Sequence, residues 1–300
     1  MAFEPPELLV RALGEMPGAP EDRTAEWLGA LPGLARDAVS RRGLTAQRVQ
    51  TPGGRSSMVV LVRYPDGTPA TLKLAPPASR PDRELAALAH WGGFGAVRVL
   101  DTRHDDGALL LERLQAEVSL RSLPEAKALL EAAGTIRRLW VQPPVGHPFE
   151  TVAERTGRQS EPVRQAPETL RALAGAALDA RAELVALPPE EVLLHGAFRQ
   201  GKVLAGDRAP WLTVGPDPLV GERAYDLARL VRDRLDDQVA STTGAAGVRR
   251  RLTRLAESLD VDPERLRGWT LFRAVESGVR AVAAGRRRDA ELLLEFAAWL

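Results

Sequence analysis

The longest strand signals in this chain are grouped ahead of a mostly helical remainder, and that segregation limits the folds open to it more than any other feature. Met58 to Tyr64 is a β-rich run, Pro65-Asp66-Gly67 is a turn, and Ala70 to Leu74 reads as the returning strand. A short helix is expected over Pro81–Trp91, buried through Leu85, Leu88 and Ala89. A second hairpin is expected with strands at Val97–Leu100 and Leu109–Glu112, joined by His104-Asp105-Asp106-Gly107. Ahead of these strands, residues 5–48 read as a helical leader carrying Leu8, Leu9, Val10 and Leu13, then Trp27, Leu28, Leu31, Leu34 and Ala38. Beyond about residue 115 the pattern is helical. Leu170, Leu173, Ala177, Ala180, Leu184 and Leu187 trace one face that Pro188-Pro189 stops, and Asp262 is placed to cap a helix with Pro263 at its first position. Residues 238–247 read as a loose loop, Asp236-Asp237 as an exposed helix end, and Arg286-Arg287-Arg288 as a solvated helix start. An antiparallel sheet followed by helices predicts an α+β chain and argues against a Rossmann alternation. The expected division is 1–114, a helical leader with the sheet, and 115–300, mostly helical.

Composition excludes several chemistries. There is no cysteine, so disulfides, Cys-ligated metals and thiol nucleophiles drop out. His90, His104, His147 and His195 lie far apart, with no metal-binding spacing. A net charge of +1 gives no global field toward nucleic acid or membrane, and neither is an expected partner. No apolar run approaches the roughly 18 residues of a membrane span, and the start Met-Ala-Phe-Glu-Pro-Pro-Glu does not look like a signal peptide, so the expected location is cytoplasmic. Of the 41 basic residues only Lys73, Lys127 and Lys202 are lysines, which makes each worth placing.

The most informative segment spans residues 191–230. It reads as a strand, an irregular loop (His195-Gly196-Ala197-Phe198-Arg199-Gln200-Gly201-Lys202), two short strands and a helix. A polar, glycine-containing loop entered from an apolar strand is a common seat for a site. From Val214 the chain runs Val-Gly-Pro-Asp-Pro-Leu-Val-Gly-Glu-Arg-Ala-Tyr-Asp-Leu-Ala. This stretch resembles the aminoglycoside and hydroxyurea phosphotransferases, in which His-Gly-Asp-Leu-His-x-Gly-Asn-Val-Leu is followed by Ile-Asp-Pro and, in the streptomycin and hydroxyurea branch, by Pro-Leu-Val-Gly-Asp-x-Ala-Tyr-Asp-Leu-Ala. The resemblance implies a two-lobe protein-kinase-like fold, with an antiparallel-sheet N-lobe and a mostly helical C-lobe.

It also exposes three departures. Ala197 stands where the family has its loop aspartate, Lys202 where it has a metal-binding asparagine, and Gly215 where the Ile-Asp-Pro aspartate holds magnesium. Kinase chemistry relies on a positioned base and on metal bridging the phosphates, and alanine and glycine supply neither. Asp217, two residues further on between Pro216 and Pro218, is the one candidate metal ligand. The framework positions His195, Gly196, Gly201, Tyr225 and Asp226 are kept, and His195 and Asp226 are expected to brace the loop.

Upstream, Lys73 and Glu84 match the family's phosphate-contacting lysine and its acidic partner, although an ordinary ion pair would read the same way. Leu111 and Glu112 lie in a run resembling the link between lobes, which implies a backbone contact with adenine. The loop Pro52–Ser57 takes the nucleotide-covering position without a Gly-x-Gly-x-x-Gly pattern. With no catalytic residue intact, the leading expectation is a pseudokinase that binds a small molecule, nucleotide or protein partner. The alternatives are an active ATP-dependent phosphotransferase on a hydroxyl-bearing antibiotic with an atypical metal site, and a scaffold with an empty cleft. No cofactor is expected to be required. Ala197, Lys202 and Gly215 together carry a positive charge where the family's residues are acidic, so any bound ATP or other nucleotide is expected to enter without magnesium.

Overall fold

The computed structural model describes every residue except 1, 16–20, 102–106 and 241–242. It divides into two compact units, Met1–Gln115 with Gly206–Pro210, and Ala116–Ala205 with Trp211–Leu300.

In the first unit the order is α1 (Glu7–Gly14), α2 (Glu21–Arg41), β1 (Thr45–Val49), β2 (Met58–Arg63), β3 (Pro69–Leu74), α3 (Pro81–Trp91), β4 (Val99–Asp101) and β5 (Ala108–Glu112). The strands form one antiparallel sheet in the order β1-β2-β3-β5-β4. Alternation along β3 sends Ala70, Leu72 and Leu74 into the core, where they meet Leu31, Ala35 and Ala38 of α2. Thr71 and Lys73, of opposite parity, are left half-buried on the other face.

Three expectations are corrected here. The leader is helical only as far as Arg41, and 45–49 is a strand. As an edge strand with a mostly exposed burial pattern, β1 has no apolar alternation to betray it. The strand placed at Val97–Leu100 begins at Val99, and most of the connection expected at 104–107 lies outside the described residues.

The second unit contains β6 (Gln115–Ser119), α4 (Glu125–Arg137), β7 (Glu150–Thr151), α5 (Val152–Arg164), α6 (Arg171–Ala186), β8 (Val192–Leu194), β9 (Val203–Ala205), β10 (Leu212–Thr213) and β11 (Leu219–Gly221). It continues with α7 (Arg223–Val231), α8 (Leu235–Ala240), α9 (Gly244–Leu259), α10 (Pro263–Ala283) and α11 (Arg287–Ala298). Its strands form two small sheets, β10-β9-β6 and β7-β11-β8. The central element is α10, buried from Leu266 through Ala281 on most of its circumference, as a helix enclosed by neighbours must be. At Gly268 an added Cβ would sit 2.9 Å from Leu184 of α6, so the absent side chain sets how closely the two helices approach. Asp262 caps α10 as expected, accepting from the N–H groups of Glu264 and Arg265 at 2.8 and 3.0 Å.

The loose loop expected over 238–247 is largely helix, the end of α8 and the start of α9, with 241–242 outside the described residues. The run from Gly244 to Gly247 hid the helix because it shows no apolar period; Val248, Leu252, Leu255 and Leu259 further along supply one. Asp236 and Asp237 lie exposed in the first turn of α8, the helix end expected for them, where a carboxylate is favoured by the helix dipole. Among the described residues no helix is long and apolar enough to cross a membrane.

Candidate functional site

β8 delivers the chain into the loop at His195, and its pairing with β11 (Leu194 opposite Leu219) sets residues 195–197 against 215–218. The two segments are tied by the Asp217 N–H, which donates to His195 O at 2.9 Å. Gly196 has φ +71°, and a Cβ there would lie 1.9 Å from the Asp217 carbonyl oxygen. Only glycine meets both conditions. Below the loop, the Asp226 carboxylate on α7 accepts from the N–H groups of His195 (2.8 Å) and Gly196 (2.9 Å) and, at 3.4 Å, from the Trp140 indole. Burial raises the Asp226 carboxyl above its ordinary range, while those N–H groups and Arg273 favour the charged form. Arg273 on α10 closes the brace, donating to Gly196 O at 2.9 Å and Tyr225 O at 2.8 Å with its guanidinium 4.2 Å over the Tyr225 ring.

His195 is wholly buried. Its Nδ1 accepts from the Ala197 N–H at 3.2 Å, so the ring proton belongs on Nε2, which faces Val214 O at 3.2 Å. Burial, with Lys202 adding, pushes the imidazole well below 6.5 and keeps it neutral. The unfolded chain therefore takes up a proton near pH 6.5 that the folded chain refuses. The stability this contributes is present above that pH and is lost as pH falls below it, at up to about 1.4 kcal/mol per pH unit. Urea midpoints measured from neutral pH downward should fall before ordinary carboxylates begin to titrate, and a flat profile across that window would contradict the assignment.

Ala197 is buried and presents only a methyl group. Lys202 leaves the turn Gln200–Lys202 and donates through Nζ to the carbonyl of Gly215, so its ammonium lies beside the position where the family aspartate is missing. Asp217 is gripped by Arg155 of α5 in a two-bond fork at 2.7 and 3.1 Å, and Arg155 also donates to Glu150 at 2.8 Å. Partial desolvation favours the neutral form of Asp217, whose side chain is still about half exposed, but Arg155, helped by Lys202 and Arg273, outweighs it and holds the carboxyl below its usual range.

This donor set does not fit a divalent ion. Magnesium is ordinarily held through one or two carboxylates. Here positions 197 and 215 offer no side-chain oxygen, position 202 offers a cation, and Asp217 is already committed to a guanidinium. Among the described residues no group of three or more His, Asp and Glu is placed to hold a metal. The expectation that Asp217 could serve as a metal ligand is thus corrected. The same arginine that keeps it ionised occupies both its oxygens.

In the first unit, Lys73 and Glu84 are brought together as expected. β3 and α3 set them in direct contact, with side chains only 13% and 6% exposed. The second oxygen of Glu84, Oε1, has no hydrogen-bond partner in the protein. Leu111 is paired within the sheet opposite both Thr71 and Val99. Glu112 donates its N–H to Arg98 O at 2.9 Å, and its carboxylate accepts from Arg98 N–H and from Arg208 at 2.7 Å. The Glu112 side chain thus ties the end of the sheet to Arg208. Sequence reasoning did not single out Arg155, Arg208 or Arg273. In so arginine-rich a chain, residue type alone marks none of them.

The antiparallel sheet followed by a helical unit around a braced His-Gly loop is the protein-kinase-like fold. A crystal structure of an aminoglycoside phosphotransferase in ternary complex with ADP and hygromycin B shares it, with TM-score 0.62 at 16% identity over 88% of this chain and 96% of that one. The chain belongs to the aminoglycoside/hydroxyurea antibiotic resistance kinase family, whose pattern matches residues 42–285. It is 35% identical to the streptomycin 6-kinase of Streptomyces glaucescens over 86% of this chain and 85% of that one. It is 34% identical to the hydroxyurea phosphotransferase of Kitasatospora aureofaciens over 87% of this chain and 76% of that one. These relatives overturn the expectation of a protein that acts by binding alone: at this level of identity across most of the chain, proteins named for phosphoryl transfer favour an antibiotic kinase.

Proposed function

We propose that this chain is an ATP-dependent phosphotransferase that modifies a hydroxyl-bearing antibiotic in the cytoplasm, with streptomycin and hydroxyurea as the first acceptors to test. The observation that carries this reading is the 34–35% identity to such enzymes along most of the chain. The buried Lys73–Glu84 pair and the braced loop support it, since both maintain polar groups in costly surroundings.

In the transfer, the acceptor hydroxyl oxygen bonds to the γ-phosphorus as the bond from that phosphorus to the β–γ bridging oxygen breaks, and ADP leaves with that oxygen. The hydroxyl proton passes to water or to the transferred phosphate, because Ala197 offers no base. Such a transition state is loose, and catalysis lies mostly in positioning and charge. Loss of the base therefore slows the reaction without forbidding it. Lys73, held by Glu84 in the first unit, supplies positive charge to the phosphates, and the nucleotide is taken up without a protein-bound metal.

Typical kinases turn over at about 1–100 s⁻¹, and losing a general base removes about 10²–10⁴. Turnover on the order of 10⁻² s⁻¹ or slower is expected. Mass spectrometry of each acceptor after incubation with ATP and equimolar protein should show the phosphorylated product, and Lys73→Met should abolish it. Absence of product from both acceptors after several hours would overturn the proposal.

A further inference from the structure

Lys202 is held at both ends. Its backbone N–H donates to Arg199 O at 2.9 Å, and its carbonyl accepts from the Val214 N–H at 2.9 Å and from Thr213 Oγ1 at 3.2 Å. At the far end of the side chain, Nζ donates to Gly215 O. Gly215 has φ +60°, a backbone that glycine adopts without the cost a side chain would add, and it presents the carbonyl that receives the ammonium. The two residues fit as a pair, a long cation at 202 and an unhindered carbonyl at 215. After burial, the ammonium is the largest influence on His195, and after burial and Arg155 it is the next on Asp217, so its charge reaches both sides of the loop. The carboxylates of this neighbourhood are committed. Asp217 is forked by Arg155, Glu150 takes Arg155 and Arg158, and Asp226 accepts from the loop N–H groups. Lys202, Arg155, Arg158 and Arg273 outnumber those carboxylates, and His195 is neutral. A divalent ion brought here would meet net positive charge and would shed water without carboxylate oxygens to replace it.

We propose that Lys202, seated on Gly215 O, is the resident cation of the braced loop and stands in the place of a divalent ion, which the loop neither requires nor admits. Lysine suits that place because its ammonium is a compact point charge that meets oxygen directly. Unlike a metal, it is supplied by the chain itself, so the order of the loop depends neither on metal concentration nor on chelators. The bearing of this cation on phosphoryl transfer rests on the kinase reading; the cation site, a property of residues 202 and 215, does not.

Lysine is scarce enough here for direct observation. The full chain made with isotope-labelled lysine gives side-chain NMR signals from Lys73, Lys127 and Lys202 alone. With manganese(II) as the probe at equimolar concentration, the Lys202 signal is expected to broaden no more than that of exposed Lys127. Broadening of Lys202 ahead of Lys127 would put the metal at the loop and overturn the proposal. Lys202→Glu exchanges the cation for a carboxylate and sets two oxygen groups against each other at Gly215 O. That variant should bind manganese about tenfold more tightly than the wild type, or better, by calorimetry. Its thermal midpoint should rise with manganese while that of the wild type stays in place. A folded Lys202→Glu that gains no manganese affinity would give the exclusion another origin and overturn the assignment to Lys202. Should the variant fail to fold, the wild-type lysine spectrum decides alone. None of these readouts needs turnover, so failure of the kinase reading shows separately, in the phosphorylation assay.

Discussion

Gly196→Ala is expected to lower stability by about 2–5 kcal/mol and to abolish phosphoryl transfer. Two independent penalties meet at this residue. A left-handed backbone costs a side-chain-bearing residue about 1–2 kcal/mol, and φ here is +71°. The new methyl would also lie 1.9 Å from the Asp217 carbonyl oxygen. That carbonyl cannot retreat easily, because the Asp217 N–H is bonded to His195 O and prolines at 216 and 218 restrict the chain on both sides. Forcing atoms into such a contact adds about 1–3 kcal/mol. Gly201→Ala is the internal control: its Cβ would meet only the Arg121 side chain, at an ordinary 3.5 Å. Urea unfolding should place Gly201→Ala within about 0.5 kcal/mol of the wild type. Equal stability of the two variants would refute the description of the loop.

Asp226→Ala should be nearly as damaging, by a different route. It removes the acceptor for two backbone N–H groups, at His195 and Gly196, that are sealed from water. Each orphaned buried donor costs roughly 1–3 kcal/mol, so a loss of about 3–5 kcal/mol is expected, with Arg273 also deprived of a nearby counter-charge. Asp226→Asn should fall between, since an amide offers one carbonyl acceptor while its NH2 faces a second donor. Amide hydrogen exchange gives the sharper readout. The His195 and Gly196 amides should pass from protected to rapidly exchanging in Asp226→Ala. Continued protection would mean that another group braces the loop.

What could be read from the chain alone depended on whether the signal was local. The hairpin from Met58 to Leu74 and the helix Pro81–Trp91 were legible because alternation, a Pro-Asp-Gly turn and a proline-led helix start are properties of neighbouring residues. The contact of Lys73 with Glu84 was legible because the only lysine of the sheet precedes the next helix's acid by eleven residues. The replaced positions 197, 202 and 215 were legible from motif spacing. β1 was not, since an exposed edge strand needs no apolar period, and the helix beginning at Gly244 was not, since its first turn carries none.

Partnerships between distant charges were decided only by the tertiary structure. Asp217 looked like a spare metal ligand until α5 brought Arg155 to it from 62 residues away, and nothing near Glu112 announced that Arg208 would reach its carboxylate from 96. An arginine's partner is set by how helices pack, and a chain with so many arginines offers no local cue to which one arrives. Local order alone specified the hairpin Met58–Leu74, the helix Pro81–Trp91 and the loop. Packing of α5, α7 and α10 determined which charges meet, because a salt bridge is a property of two side chains in space and leaves no trace in the spacing of either.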